Sequence, residues 1–139
     1  MPASNILCLD VGEKRVGVAL VRSAVRIPVM LQTLERQADD FWQQLTGLIK
    51  EYEVNDLVLG LPRGLEGQET GQTKYVRTFA EELTGYTALP IYWQDEALTS
   101  VKATSILDSS GKPYTKGDVD AMAASLILAD YLETERHEP

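Results

Sequence analysis

Three acidic residues carry the candidate chemistry, and their places in the hydrophobic pattern single them out. Asp10 closes the apolar run I-L-C-L, Glu96 follows Asp95 at the end of a second apolar stretch, and Asp120 falls early in an Ala- and Leu-rich segment. Ala123, Ala124, Ile127 and Tyr131 lie three, four, seven and eleven residues beyond Asp120, so this acid shares the apolar stripe of a helix and points inward. Acids at two strand ends and one on a packed helix can converge where the loops of an α/β sheet gather. Convergent carboxylates repel and raise one another's pKa, a conflict that a divalent cation removes. Oxygen-only ligation suits Mg²⁺ or Mn²⁺, and the single histidine, His137, offers zinc no ligand set. Two such ions about 4 Å apart on shared carboxylates are equipment for in-line hydrolysis of a phosphodiester. A simpler reading stays open for Asp10, which could cap the turn after it through the backbone at Gly12 or Glu13. Asp118 is the better candidate to cap the last helix, a role that a residue inside the helix such as Asp120 cannot fill.

The elements that must position these acids follow from periodicity. Residues 6–20 read strand, glycine turn, strand, and a third strand over residues 27–34, with Pro28 near its start, completes a meander. From Asp39 or Asp40 the period becomes helical through Phe41, Leu45, Leu48, Ile49 and Tyr52, and Trp42 is expected to pack there rather than bind. Residues 57–61 (L-V-L-G-L) read as a strand covered on both faces. After a Gly-rich loop, Val76, Phe79, Ala80 and Leu83 mark a second helix that Gly85 ends. A fifth strand over residues 89–93 leads into the acids, a short helix capped by Thr99 or Ser100 follows, and the last helix runs from about Asp118 to Glu133. Residues 1–5 and 134–139 read as frayed ends of one domain spanning 1–139.

The chain of 139 residues is long enough for one full core. No apolar stretch approaches the ~20 residues of a membrane helix, and the N-terminus lacks the layout of a signal peptide, so a cytoplasmic protein without a membrane partner is expected. The lone Cys8 reads as a buried hydrophobe. A net charge of −8 excludes nucleic-acid binding through the overall field, and leaves local cations or metal ions to hold any phosphate-rich partner.

Four motifs resemble one family: L-D-V-G-E-K-R-V-G-V-A from Leu9, L-V-L-G-L-P from Leu57 with G-Q-E-T-G-Q-T-K-Y-V-R downstream, D-E-A-L-T-S from Asp95, and V-D-A-M-A-A-S-L-I-L-A-D-Y-L from Val119. They are similar to the YqgF/RuvX family of pre-16S rRNA nucleases, also called Holliday-junction-resolvase-like proteins. The resemblance implies an α/β, RNase H-like fold: a five-stranded mixed sheet, with a three-strand antiparallel meander and two parallel strands, flanked by helices. It implies a metal-dependent nuclease using Mg²⁺ or Mn²⁺ in 5′-end maturation of pre-16S rRNA. Its acidic triad carries over onto Asp10, Glu96 and Asp120 as metal ligands and catalytic groups, and its basic pair onto Lys14 and Arg15 as substrate contacts. Asp95 matches the motif and is expected to support the site. Structured RNA, and branched DNA as a further candidate, are the implied partners of a monomer or weak homodimer.

Two departures bear on substrate binding. Ala97 stands where the family has an arginine in D-E-R-L-T, and Arg22-Ser23 replaces a Ser-Asp after the second strand. They motivate an alternative, a catalytically weakened module that binds RNA or Holliday junctions. The D-V-G-x-K-x-x-G-V-A segment also resembles the phosphate loop of actin-like and kinase-like nucleotide enzymes, but those need two such domains and this chain has room for one.

Overall fold

The computed structural model describes residues 4–64, 66–96 and 99–137, apart from the side chains of residues 99, 100 and 135–137. The meander forms as the alternating pattern requires. Strands β1 (Ile6–Val11) and β2 (Arg15–Val21) pair antiparallel, as do β2 and β3 (Val29–Glu35). Helix α1 (Phe41–Glu51) crosses to β4 (Asp56–Pro62), which pairs parallel with β1, and α2 (Gly71–Leu83) crosses to β5 (Ile91–Glu96), parallel to β4. The order β3-β2-β1-β4-β5 puts β1 in the middle of the sheet. Helix α3 (Thr99–Ser109) packs on α4 (Lys116–His137), and α4 lies across the meander.

The sheet separates two cores. Side chains alternate between faces along each strand, so Leu7, Leu9 and Val11 meet Phe41, Leu45, Val76, Phe79 and Leu83 beneath α1 and α2. Ile6 and Cys8 meet Ala19, Val58, Ala124, Ile127 and Leu128 beneath α4. Asp10 follows Cys8 on that second face. It is therefore aimed at α4 from the C-terminal end of the central strand.

Several boundaries differ from expectation for identifiable reasons. Strand β3 starts at Val29, because the link from β2 turns through Arg26 at φ 57 and backbone bonds from Val25 and Arg26 to the Arg22 carbonyl. The last helix starts at Lys116, two residues earlier than expected, and Thr115 rather than Asp118 precedes it. The Thr115 hydroxyl accepts from the Asp118 N–H while the Asp118 carboxylate accepts from the Thr115 N–H, a reciprocal capping box. Asp120 consequently falls in the second turn, not the first. The helix also continues to His137 through residues expected to fray.

Asn5 was expected to be an unanchored lead residue. Instead, its amide donates to the carbonyls of Tyr52 and Glu53, its side-chain oxygen accepts from the Ser23 N–H, and its own N–H donates to Asn55. One polar side chain thus ties the start of β1 to the ends of β2 and α1.

Candidate functional site

A row of small residues makes the space in which the acids meet. Asp10 is paired across the sheet with Gly17 of β2. On its other side, Gly60 of β4 follows Leu59, the partner of Leu9, and is itself paired with Gln94 of β5. Isolated glycines inside strands mark close approach of another group. A Cβ on Gly17 would lie 2.0 Å from the Asp120 carbonyl oxygen and 2.9 Å from the Ala121 nitrogen. The backbone of α4 is therefore seated directly on β2 at Asp120. A Cβ on Gly60 would lie 3.2 Å from Glu96 Oε2 and 2.7 Å from Ile127 Cδ1, so the Glu96 carboxylate folds back over β4.

This arrangement crowds negative charge. Burial pushes the Asp10 carboxyl well above its ordinary 3.8, and the Glu96 and Asp120 carboxylates push it further. Cys8, one step deeper on the same face, has its thiol raised by burial first and then by Asp10 and Glu96. A thiol held protonated is a poor nucleophile, so Cys8 acts as packing. The turn from β1 to β2 is closed by the Gly12 N–H donating to the Arg15 carbonyl at 2.9 Å, so the backbone, without Asp10, completes it.

One cation enters the cluster from that turn. Arg15 Nε lies 2.7 Å from Asp120 Oδ2, with each side chain only about a quarter exposed (28% and 25%). Beside this pair opens a cavity of about 260 Å³ lined by Gly12, Glu13, Lys14, Arg15, Gln72 and Asp120. Gln72 comes from the first turn of α2, where the reciprocal Thr70 and Thr73 cap fixes the helix start, and it donates to the Val11 carbonyl at 3.1 Å. The buried Thr73 hydroxyl also donates to the Pro62 carbonyl, tying that helix start to the end of β4.

A RuvX family model, described as Holliday junction resolvase, matches residues 4–134. The chain belongs to the RuvX family. This RuvX chain is 44% identical over 139 residues to a protein of Crocosphaera subtropica named "Putative pre-16S rRNA nuclease", covering 98% of this chain and 97% of that one. It is 39% identical over 137 residues to a protein of the same name from Chloroflexus aurantiacus, covering 96% and 90%. Among solved structures it superimposes on T. thermophilus RuvC in complex with Holliday junction substrate with a TM-score of 0.52 at 13% identity, covering 94% of this chain and 96% of that one. The fold is RNase H-like, as the family resemblance implied.

In this RuvX chain Asp10, Glu96 and Asp120 arrive from β1, β5 and α4 as electrostatic neighbours. Oxygen donors of concentrated negative charge, with one carboxyl partly buried, suit a hard divalent cation in chemistry and charge. No three His, Cys, Asp or Glu side chains among the described residues form a ready metal cage, and Asp120 is held by Arg15. Lys14 lines the cavity mouth.

Asp95 is turned to the opposite face from Glu96 by strand alternation. Its exposed carboxylate lies 3.4 Å from Arg63 Nε, so it is withdrawn from the cluster that it was expected to support. Arg63 also approaches Glu69, which in turn chelates Arg77. Ala97 lies outside the described residues. Gly17, Gly60 and Gln72 went unnoticed in the sequence; for the glycines the available signal was a lone Gly inside each of two apolar strands.

Proposed function

We propose that this RuvX chain is a metal-dependent nuclease that hydrolyses phosphodiester bonds in structured RNA, in the 5′-end maturation of pre-16S rRNA. The observation that carries the reading is the crowding of Asp10 by Glu96 and Asp120, three acids from three distant parts of the chain around a partly buried carboxyl. Such charge is unfavourable to folding and is explained by what it can hold. Mg²⁺ or Mn²⁺ bound there would supply an activated water and a counter-charge for the leaving oxygen. Asp10, fixed by the central strand, and Glu96, folded over Gly60, would serve as ligands. Asp120, on a helix seated against Gly17, would complete the set. Lys14 at the mouth would draw phosphate into a protein whose net charge of −8 otherwise repels RNA. The names carried by the relatives support the same class of substrate.

The test compares cleavage of a structured RNA spanning a 16S 5′ end, and of a four-way DNA junction, by the native chain, Asp10→Asn and Glu96→Gln with Mg²⁺ or Mn²⁺. Each substitution is expected to lower the rate by at least about a hundred-fold, since each removes an anionic ligand that would hold the cation stabilising the transition state. Undiminished cleavage by either variant would remove that residue from the reaction. A second reading, a binding module with little chemistry, is favoured by the occupation of Asp120 by Arg15. It predicts RNA binding without metal-dependent cleavage in the native chain.

A further inference from the structure

We infer that Arg15 is a placeholder for the metal ion at Asp120: cation binding displaces its guanidinium, which turns into the adjacent cavity and takes up a phosphate oxygen of the substrate. The inference rests on the metal-site reading above and concerns how that site exchanges one positive charge for another.

The geometry supplies both ends of the exchange. Arg15 Nε contacts Asp120 Oδ2 at 2.7 Å, so an ion that ligates this oxygen must compete with a charge-assisted hydrogen bond. Asp120 cannot retreat, because its backbone is seated on Gly17 with no room for even a methyl group between them. Arg15 can move. It starts β2 beside the turn, its side chain is partly exposed, and with Asp120 it lines the 260 Å³ cavity that also contains Lys14 and Gln72. A guanidinium matches a phosphate as well as a carboxylate, which lets the same group serve both states. The consequence is order. Before an ion arrives, Arg15 offsets part of the repulsion among Asp10, Glu96 and Asp120; afterwards it is released at the place where substrate enters.

Calorimetric titration of the intact protein with MnCl₂ or MgCl₂ tests the exchange, using the native chain, Arg15→Gln and Lys14→Gln. Circular dichroism establishes that each variant is folded. Lys14→Gln removes the same charge from the same turn without touching Asp120, since Lys14 makes no ion pair among the described residues. If Arg15 competes for the oxygen, Arg15→Gln binds the ion about three- to ten-fold more tightly than the native chain, and Lys14→Gln changes affinity much less. In the native protein, the Arg15 Nε–H NMR signal shifts on Mg²⁺ titration with the same midpoint as the heat. Equal tightening by both variants would reduce Arg15 to a general field effect, and unchanged or weaker binding in Arg15→Gln would overturn the exchange outright. Heat in the native chain with either of these results leaves the metal site standing while the exchange fails. Absence of heat in all three proteins removes the metal site and the exchange together.

Discussion

Against one face of the sheet lie Phe41, Leu45, Phe79 and Leu83; against the other lie Ala124, Ile127 and Leu128 of α4, which meet Cys8 of β1 near the point where the α4 backbone is seated on the bare backbone of Gly17. Large side chains hold α1 and α2 away from the strands and fill the intervening volume. There Trp42 stacks on Phe79 and Tyr86 at centroid distances of 5.3 and 4.3 Å, and Arg36 spreads over Phe41, Trp42 and Phe79. On the other face small residues draw α4 down until main chain meets main chain, which leaves Asp10 beside Glu96 and Asp120. The first face is built for apolar burial and tolerates an imperfect polar fit: among the described residues, the Arg36 Nε–H is buried without an acceptor. The second face places charge where burial opposes it. The aromatic core and the crowded acids thus lie on opposite sides of one sheet.

The sharpest way to break this contrast is to damage the first face and read the second. Phe79→Ala removes a fully buried ring from the α1/α2 core and is expected to cost about 3–5 kcal/mol in denaturant unfolding. Metal affinity of the folded fraction should remain at the native value, and a parallel loss of affinity would mean that the two faces are coupled. Next in size is Gly17→Ala. Its added methyl meets the Asp120 carbonyl, so α4 must lift, at about 1–3 kcal/mol or more. Here metal affinity should fall together with stability. The matched control is Gly47→Ala in α1, where nothing lies within 4 Å of the new Cβ. Relief of the helical glycine penalty should stabilise that variant by roughly 0.5–1 kcal/mol. Two substitutions of the same chemistry, one at the packed α4–β2 contact and one on the exposed side of α1, are thereby expected to carry opposite signs.

The sequence exposed the elements of both faces unequally. Periodicity gave the meander, the βα alternation and the inward aim of Asp120, because each depends on residues within a few turns of one another. The Arg15–Asp120 pair joins residues 105 positions apart, and no local pattern contains it. Read from motif alone, Arg15 was a phosphate contact; the fold gives it a carboxylate partner first. Asn5 is similar, since its partners Ser23, Tyr52, Glu53 and Asn55 become neighbours only when β1 is central. The cap of α4 was within reach of local reasoning: T-K-G-D has the spacing of a reciprocal box, and placing the cap on Asp118 overlooked its hydroxyl partner three residues earlier. Asp95 and Glu96 are adjacent acids of one motif, expected as a supporting group and a ligand of the same site, and strand alternation sends them to different faces.

The smallest effect is also the one that isolates the charged face. In the metal-free protein, burial together with Glu96 and Asp120 raises the Asp10 carboxyl above its ordinary 3.8. Between that ordinary value and the raised one, the folded chain keeps a proton that the unfolded chain has released. Stability must therefore fall as pH rises through this window. The amide introduced by Asp10→Asn cannot ionise, so in EDTA the variant should melt above the native chain near neutral pH, with the gap narrowing as pH approaches about 4. Saturating Mg²⁺ should close or reverse the gap, because an ion bound only by the folded native site raises its melting temperature by mass action. Melting curves from about pH 4 to about pH 8, with EDTA and with Mg²⁺, read both effects in one experiment. A variant that melts below the native chain in EDTA at neutral pH would mean that the Asp10 carboxylate is stabilised where it sits, and the crowding that separates this face from the other would be lost.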